Sequence, residues 1–423
     1  MTSFFIQNFG CRVNQAEAFD WAAEFQKRGW RLADDGTKCR VVIVNTCTLT
    51  ARADRDGRKY IRKVVRDNPG ARIVVTGCLA ERDPEGLKSF PGIWRIVPNA
   101  AKASLPERCV AETGPDVYGA GEGPVSFRAR ALVKIQDGCD MACAFCVIPS
   151  VRGRSTSSPV VELLGRIERL ISKGYAEIVL AGIHLCSYGR DLRPPSSLLW
   201  LLSEIERLPG DFRIRLSSLD PRLLPGPLLD LLTGSRRIAP HFHLSLQHGS
   251  DRVLRAMGRD STNQSYRELC ARLAGQAPEA NIGADFIVGF PGETEKDFEA
   301  TAALLVELPL GYAHVFSYSA RPGTKAAAAP AVAAATVKAR AGRLRRLSEK
   351  KNYAYRRRFV GRTLDGIVIQ RKPGGVEILT PNYLEVLVPE TGAREGAPVR
   401  VRINSVGERS TTGEICDNNG LRP

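Results

Sequence analysis

Three cysteines in Gly138-Cys139-Asp140-Met141-Ala142-Cys143-Ala144-Phe145-Cys146 carry the most specific chemistry in this 423-residue chain. With three and then two residues between them, the thiolates can fold around one metal corner, each donating to a different iron. Three ligands are one short of closing a four-iron cluster. The open iron is a place for another ligand to coordinate, as in catalytic metal sites that keep a position for substrate. A zinc knuckle would call for a second cysteine pair or histidines downstream, and no such pair follows.

A second set of thiols emerges from the elements that precede this motif. Phe4–Phe9, Arg40–Asn45, Arg72–Thr76 and Trp94–Val97 read as strands, the middle two being β-branched runs of the kind buried on both faces of a sheet. Asn14–Arg28 and Arg52–Asp67 read as helices between them, so the pattern implies an open parallel α/β sheet. Cys11, Cys47 and Cys78 each follow one of the first three strands. Ligands bind outside the carboxyl ends of strands in such sheets, so these thiols would converge on one point. Gly10 and Gly77 suit a backbone that turns sharply beside a bulky ligand. The expectation is a second three-cysteine iron–sulfur cluster. Cys39, Cys109, Cys186, Cys270 and Cys416 lack such placement and read as small buried hydrophobes.

Composition sets the setting. Hydrophobic content of 43% and charged content of 25% are ordinary for a globular protein. No apolar run is long enough for a membrane span and the first residues have no secretory pattern, so a cytoplasmic protein with no membrane partner is expected. Eleven cysteines in such a chain point to metal or redox chemistry rather than disulfides. A net charge of +16 points to a polyanionic partner, usually nucleic acid.

Residues 111–126 are rich in Gly and Pro and read as a linker. Beyond them a strand–helix unit repeats, with strands expected at 131–136, 177–181, 213–217, 241–246, 282–288 and 314–317. Helices are expected at 159–173, 196–207, 263–274 and 294–308. Repeated right-handed units of this kind close into a barrel or part of one, whose active site lies at the carboxyl ends of the strands. The CxxxCxxC motif follows the first of these strands and so falls on that face. Neither GxGxxG nor GxxxxGK[ST] occurs, and the hydrolytic motifs GxSxG and HExxH are missing too.

Residues 326–335 are low-complexity, a linker or a helix start. From Lys338 to Arg358 ten residues are Lys or Arg against one Glu, a helix with phosphate-binding potential. Short alternating strands follow at 364–370, 375–379, 384–388, 398–404 and 413–416, the signature of a small antiparallel β-barrel of OB-like size.

Gly10-Cys11-Arg12-Val13-Asn14, Val44-Asn45-Thr46-Cys47, Thr76-Gly77-Cys78 and the CxxxCxxC with Phe145 before its last cysteine resemble the radical S-adenosylmethionine (SAM) methylthiotransferases, over essentially the whole chain. The resemblance implies an α/β protein of three parts. An N-terminal open parallel sheet domain would span 1–110, a partial (βα)6 radical SAM barrel 127–358 and a TRAM-like β-barrel 359–419, with the linker at 111–126. It implies two [4Fe-4S] clusters, SAM as cofactor, and an adenosyl radical that opens a carbon for sulfur insertion. The metal ligands would be Cys11, Cys47, Cys78, Cys139, Cys143 and Cys146, with no side-chain acid or base assigned. The expected SAM contacts are Phe145, Gly182, His184, Ser217, Gln247, Asp285 and Gly289. Arg12 and Asn14 are the candidate substrate contacts.

Gly-Cys-Arg-Val-Asn is similar to the branch acting on N6-threonylcarbamoyladenosine in the tRNA anticodon loop, where Arg12 could hold the threonyl carboxylate in a fork. N6-isopentenyladenosine and a ribosomal-protein aspartate are the alternative substrates of the family. A non-catalytic iron–sulfur RNA-binding protein is the alternative from another class. The implied partners are tRNA, an electron donor such as flavodoxin or ferredoxin, and a sulfur source, with a monomer as the default.

Overall fold

The computed structural model describes residues 2–113, 129–389 and 392–416. The expected linker lies outside the described residues from 114 onward, as do 417–419. Residues 111–113 instead end the helix Leu105–Thr113.

The first parallel sheet is built from β1 (Ser3–Asn8), β2 (Arg31–Leu32), β3 (Val41–Thr46), β4 (Arg72–Gly77) and β5 (Ile93–Val97), in the order β2-β1-β3-β4-β5. The central β3 is buried at every residue, because both faces of the sheet are covered. On one face Ala18, Trp21, Ala22 and Phe25 of the helix Arg12–Lys27 pack with Phe4, Ile6 and Val41. On the other, Ile61 and Val64 of the helix Ala51–Asp67 pack with Val42, Val44 and Val75. The sheet has one strand more than the sequence pattern indicates. Arg31–Leu32 pairs with β1 at its edge over two residues, too short a stretch to show a periodicity.

The repeating region supplies β6 (Ala131–Asp137), β7 (Thr156–Ser157), β8 (Glu177–Gly182), β9 (Arg213–Leu216), β10 (His241–Gln247), β11 (Asn281–Val288) and β12 (Tyr312–Ser317). All six expected strands are present, and β7 is an additional two-residue piece. They form two sheets, β7-β6-β8-β9 and β10-β11-β12. Isolated parallel bridges, Ile214 with Ile238 and Leu219 with Leu244, carry the curvature from one sheet toward the other. Helices Val160–Ser172, Leu198–Glu206, Asn263–Gln276 and Glu295–Glu307 stand between strands, as the apolar spacing requires.

The last region closes β13 (Thr363–Lys372), β14 (Gly375–Leu379), β15 (Glu385–Val388), β16 (Pro398–Val406) and β17 (Thr411–Cys416) into a barrel in the order β13-β14-β15-β17-β16. Alternation along β16 puts Val399, Val401 and Ile403 inside with Val376, Ile378 and Val386. Four of its pairings are antiparallel, but the closing pair, β15 with β17, is parallel. An all-antiparallel barrel therefore needs that correction: with an odd number of strands, the closing neighbours run the same way.

The basic segment is the helix Ala334–Arg357, on which Lys338, Arg345, Arg346 and Lys350 are exposed while other cations are engaged by neighbours. Arg340 is buried against Glu293 and Glu295, and Arg343 pairs with Glu299. Arg356 is buried too, donating to the carbonyls of Gly407, Glu408 and Ser410. These arginines fix the helix to its neighbours.

By packing, the described chain divides into two units that do not follow chain order. One contains the residues up to Thr113 together with Asp137–Ser155 and Ser319–Ala327. The other contains residues 129–136, Thr156–Tyr318 and everything from Ala328 onward. The loop carrying Cys139, Cys143 and Cys146 therefore belongs to the same unit as Cys11, Cys47 and Cys78.

Candidate functional site

The CxxxCxxC loop is closed at its base by backbone. Gly138 has φ of +64°, and a Cβ there would collide with the carbonyl of Arg154, so only glycine fits. The amide of Cys139 donates to the Gly153 carbonyl at 3.1 Å, and that of Cys146 to the Cys143 carbonyl at 3.1 Å. The Met141 amide points at Cys139 Sγ at 3.4 Å. Cys139, Cys143 and Cys146 remain half-buried, as does Phe145. Ala144 is pinned from behind, its carbonyl accepting from the Ala326 amide at 2.9 Å. A compact loop with three reachable thiols is the result.

The other triad is assembled by the sheet. Register aligns Asn8 with Asn45 and Thr46 with Gly77, so the carboxyl ends of β1, β3 and β4 are level. Cys11 caps the helix Arg12–Lys27, Cys47 follows β3, and Cys78 opens the helix Cys78–Arg82 directly after β4. Gly10, at φ +92°, lies so close that a Cβ would come within 2.7 Å of Cys47 Sγ. Burial pushes the Cys47 thiol up to about 12, and the proximity of Cys78 and Cys11 adds to the shift. Burial likewise raises the Cys78 thiol, with Arg152 opposing and Cys11 reinforcing. Cys47 and Cys78 both feel Cys11, so the three thiols are gathered in one place.

A buried polar cage lies beside them. Arg152 Nε donates to Cys78 Sγ at 3.3 Å, its Nη1 to Asp137 Oδ1 at 2.7 Å and Glu17 Oε1 at 3.3 Å, and its Nη2 to Asn14 Oδ1. Lys102 Nζ reaches the other Glu17 oxygen at 2.7 Å, and Asn45 Nδ2 reaches the same oxygen at 3.2 Å. Burial works against the Arg152 charge, but Glu17, Cys78, Cys11 and Asp137 outweigh it and hold the guanidinium firmly protonated. Burial pulls Lys102 down, and Glu17 only partly restores it.

Asn14, an expected substrate contact, is 1% exposed, and its Nδ2 donates to the carbonyls of Phe9 and Thr46 at 2.8 and 3.0 Å. Its side chain ties the β1 and β3 ends together. Arg12, at the start of the same helix, is half-buried.

The donor set suits iron–sulfur ligation. Both triads consist of soft thiolate donors, the loop triad is accessible, and the sheet triad has a cation positioned to offset thiolate charge. A metal would supply what the raised thiols lack, since coordination deprotonates a thiol outright.

In the second unit, two strand-end candidates meet and a third is held by its neighbours. The Gly182 amide donates to Ser217 Oγ at 3.3 Å, and the His184 amide to Gln136 Oε1 at 2.8 Å. The His184 ring is engaged by Asp220 at 3.0 Å. Burial opposes ionisation of Asp220, but Arg222, His184 and Arg259 hold it well below the usual carboxylate range. Gln247 ends β10 at φ +75°, a strained conformation for a residue with a side chain. Gly289 has a packing reason for lacking a side chain, because a Cβ there would strike Val337. Its amide, with that of Phe290, is held by buried Glu293.

Asp285 sits in a hydrogen-bonded chain invisible from sequence spacing. Its Oδ1 lies 2.8 Å from His243 Nε2 and 3.4 Å from His314 Nδ1. Tyr312 Oη bridges His243 Nδ1 at 2.9 Å and His241 Nε2 at 2.8 Å. Tyr312 has one proton, so at most one of the two histidines accepts from it. Burial would raise Asp285, but the two histidines bring it down to about 2. The register explains the cluster: Asp285 pairs with His314, and His243 with Gly283, on adjacent strands. Alternating apolar and polar residues along β10–β12 were the only advance signal.

Among the described residues no helix is long and apolar enough to cross a membrane. Residues 3–97 match the family described as Uncharacterized protein family UPF0004, and residues 133–305 the Radical SAM superfamily. The chain is 34% identical over 421 residues to "Threonylcarbamoyladenosine tRNA methylthiotransferase MtaB" of Aquifex aeolicus, covering 94% of this chain and 99% of that protein. It is 33% identical over 432 residues to "tRNA-2-methylthio-N(6)-dimethylallyladenosine synthase" of Cereibacter sphaeroides, covering 97% and 98%. Among solved structures it is similar in fold to the radical SAM methyltransferase TsrM from Kitasatospora setae, with a TM-score of 0.56 at 16% identity, covering 77% of each chain. Identity above 30% along nearly the whole of both proteins, with the cysteine motif inside the matched radical SAM region, fixes the assignment: the chain belongs to the radical SAM methylthiotransferases, enzymes that use S-adenosylmethionine and a [4Fe-4S] cluster.

Proposed function

We propose that this enzyme methylthiolates C2 of N6-threonylcarbamoyladenosine beside the anticodon of tRNA, using two [4Fe-4S] clusters. Cys139, Cys143 and Cys146 would hold one and Cys11, Cys47 and Cys78 the other. The observation carrying this reading is the second triad, three thiols from three strand ends beside a buried arginine. A radical SAM enzyme with a single cluster has no use for it.

When bound, the clusters and SAM supply one-electron chemistry at an unreactive C–H bond and the sulfur that replaces its hydrogen. The chain's own residues hold and orient. Gly138 and the Cys139–Gly153 hydrogen bond close the base of the loop that carries the three thiols. Phe145, Gly182, His184, Ser217, Gln247, Asp285 and Gly289 remain the proposed SAM contacts. Arg12, close in sequence to Cys11, would take the threonyl carboxylate in a fork.

The tRNA substrate is supported by the names of the relatives and by the net charge of +16. An unpaired anticodon-loop base is what a protein can splay out and read. A cytoplasmic monomer served by a flavodoxin or ferredoxin and by a sulfur source completes the proposal.

Near-equal identity to the dimethylallyladenosine enzyme favours a second reading, N6-isopentenyladenosine as substrate. Mass spectrometry of tRNA nucleosides from a strain lacking the gene separates the two. Loss of the 2-methylthio form of threonylcarbamoyladenosine, restored by complementation, is expected. Loss of only the isopentenyl product would transfer the assignment to the second reading.

A further inference from the structure

We infer that Arg152 is a positioning residue that ties the two thiolate triads together and raises the reduction potential of the centre held by Cys11, Cys47 and Cys78. The inference rests on the two-cluster reading above.

Arg152 follows the last loop cysteine within the same closed loop. Its side chain is 1% exposed, and its acid partners are buried Glu17 and half-buried Asp137. Every hydrogen-bonding nitrogen is committed: Nε to Cys78 Sγ, Nη2 to Asn14, and Nη1 to Asp137 and Glu17. Each partner has a separate meaning. Cys78 is a candidate ligand. Asn14 Oδ1 is also the atom facing Cys11 Sγ, at 3.8 Å, so Arg152 reaches a second candidate ligand through one amide. Asp137 immediately precedes Gly138-Cys139, so the Asp137–Arg152 pair clasps the base of the loop that carries the other triad. One guanidinium thus touches the first triad and fastens the second.

The energetics follow from burial. A buried cation is tolerated only with paired charge and satisfied hydrogen bonds. Glu17 and Asp137 balance Arg152 and Lys102, which leaves the cage near neutral before any metal binds. A centre that gains an electron becomes more negative. A fixed positive charge and an N–H donor against its sulfur favour that reduced state, and hydrogen bonds to the sulfurs are among the recognised determinants of cluster potential. Planar, forked guanidinium geometry is what allows the contacts to coexist, so lysine is not an equivalent.

The test is an EPR-monitored redox titration of anaerobically reconstituted full-length protein, with iron counted per chain, for wild type, Arg152→Gln and Arg152→Lys. In Arg152→Gln protein retaining about eight irons, from two four-iron clusters, one centre should become at least tenfold harder to reduce. That is a fall in midpoint of about 59 mV for one electron, with the other centre displaced less. Arg152→Lys should restore part of the shift, which a merely structural role would not. Unchanged midpoints for both centres in iron-replete Arg152→Gln overturn the inference. If Arg152→Gln cannot hold iron, Arg152→Lys decides: a midpoint below that of wild type supports the inference and a wild-type midpoint overturns it. About four irons in the wild-type protein would instead remove the centre itself, overturning the two-cluster reading and this inference together.

Discussion

The two cysteine triads are the same donor set built in opposite ways. Cys139, Cys143 and Cys146 come from one loop, pinned by backbone hydrogen bonds and a single glycine. Cys11, Cys47 and Cys78 come from three strands and converge only because β1, β3 and β4 are in register. The loop thiols are half-buried and so is Cys11, whereas Cys47 and Cys78 are buried. A local motif can be accessible because its backbone supports it. An assembled one is drawn into the sheet core at two of its three thiols, where Arg152, Glu17 and Lys102 form a buried polar cage beside it.

The sharpest way to break this comparison is to remove one thiol from each triad. Cys143→Ala should abolish both 5′-deoxyadenosine release from SAM and product formation. Cys47→Ala should abolish the methylthio product while 5′-deoxyadenosine release persists. Equal loss of both activities in the two variants would erase the division of labour.

A second perturbation targets β8, the strand paired with β6, which leads into the loop triad. Glu177 is buried between Arg215 and Arg130, with contacts of 2.7 to 3.1 Å. Burial works against its charge, but the two arginines bring it down to about 2. Its folded value is thus below the ordinary ~4.3. Its stabilisation is complete above that ordinary value and is lost as pH falls toward 2. Glu177→Gln should cost about 3–5 kcal/mol, the penalty for breaking a buried pair. It should also flatten the acid limb of a denaturation profile between about pH 4.5 and 2. Iron on the sheet triad should survive this variant better than iron on the loop triad.

Glycine substitutions sharpen the contrast further. Gly10→Ala forces a side chain toward Cys47 Sγ at a positive φ, which should cost about 1–3 kcal/mol. It should lower iron at the sheet triad, read by Mössbauer quantitation. Gly138→Ala should do the same to the loop triad alone. The smallest effect belongs to Arg343→Ala, which removes an exposed pair with Glu299. A change within about 1 kcal/mol in urea midpoints and little change in the salt dependence of tRNA binding are expected, because that arginine is already engaged.

Much of this was legible in the sequence where the signal is local. The CxxxCxxC spacing, the β-branched runs at β3 and β4 and the alternation in β16 each encode their own structure. Cys11, Cys47 and Cys78 were readable because each ends a recognisable strand. The cage was not: Glu17, Asn45, Lys102 and Arg152 are separated by long stretches of chain, and a buried ion pair leaves no periodicity. The partners of Asn14 were hidden for the same reason, since its hydrogen bonds to Phe9 and Thr46 join the ends of two different strands. In the basic helix, charge counts do not reveal that Arg340 and Arg356 are buried while Lys338, Arg345, Arg346 and Lys350 are exposed. The Asp285 chain depended on register between β10, β11 and β12, which no single strand carries.

The two-centre architecture stands or falls on one count. Iron and sulfide analysis of anaerobically reconstituted protein, alongside a Cys11→Ala/Cys47→Ala/Cys78→Ala variant, should give about eight irons per chain in the first and about four in the second. The same iron content in both proteins would contradict the account.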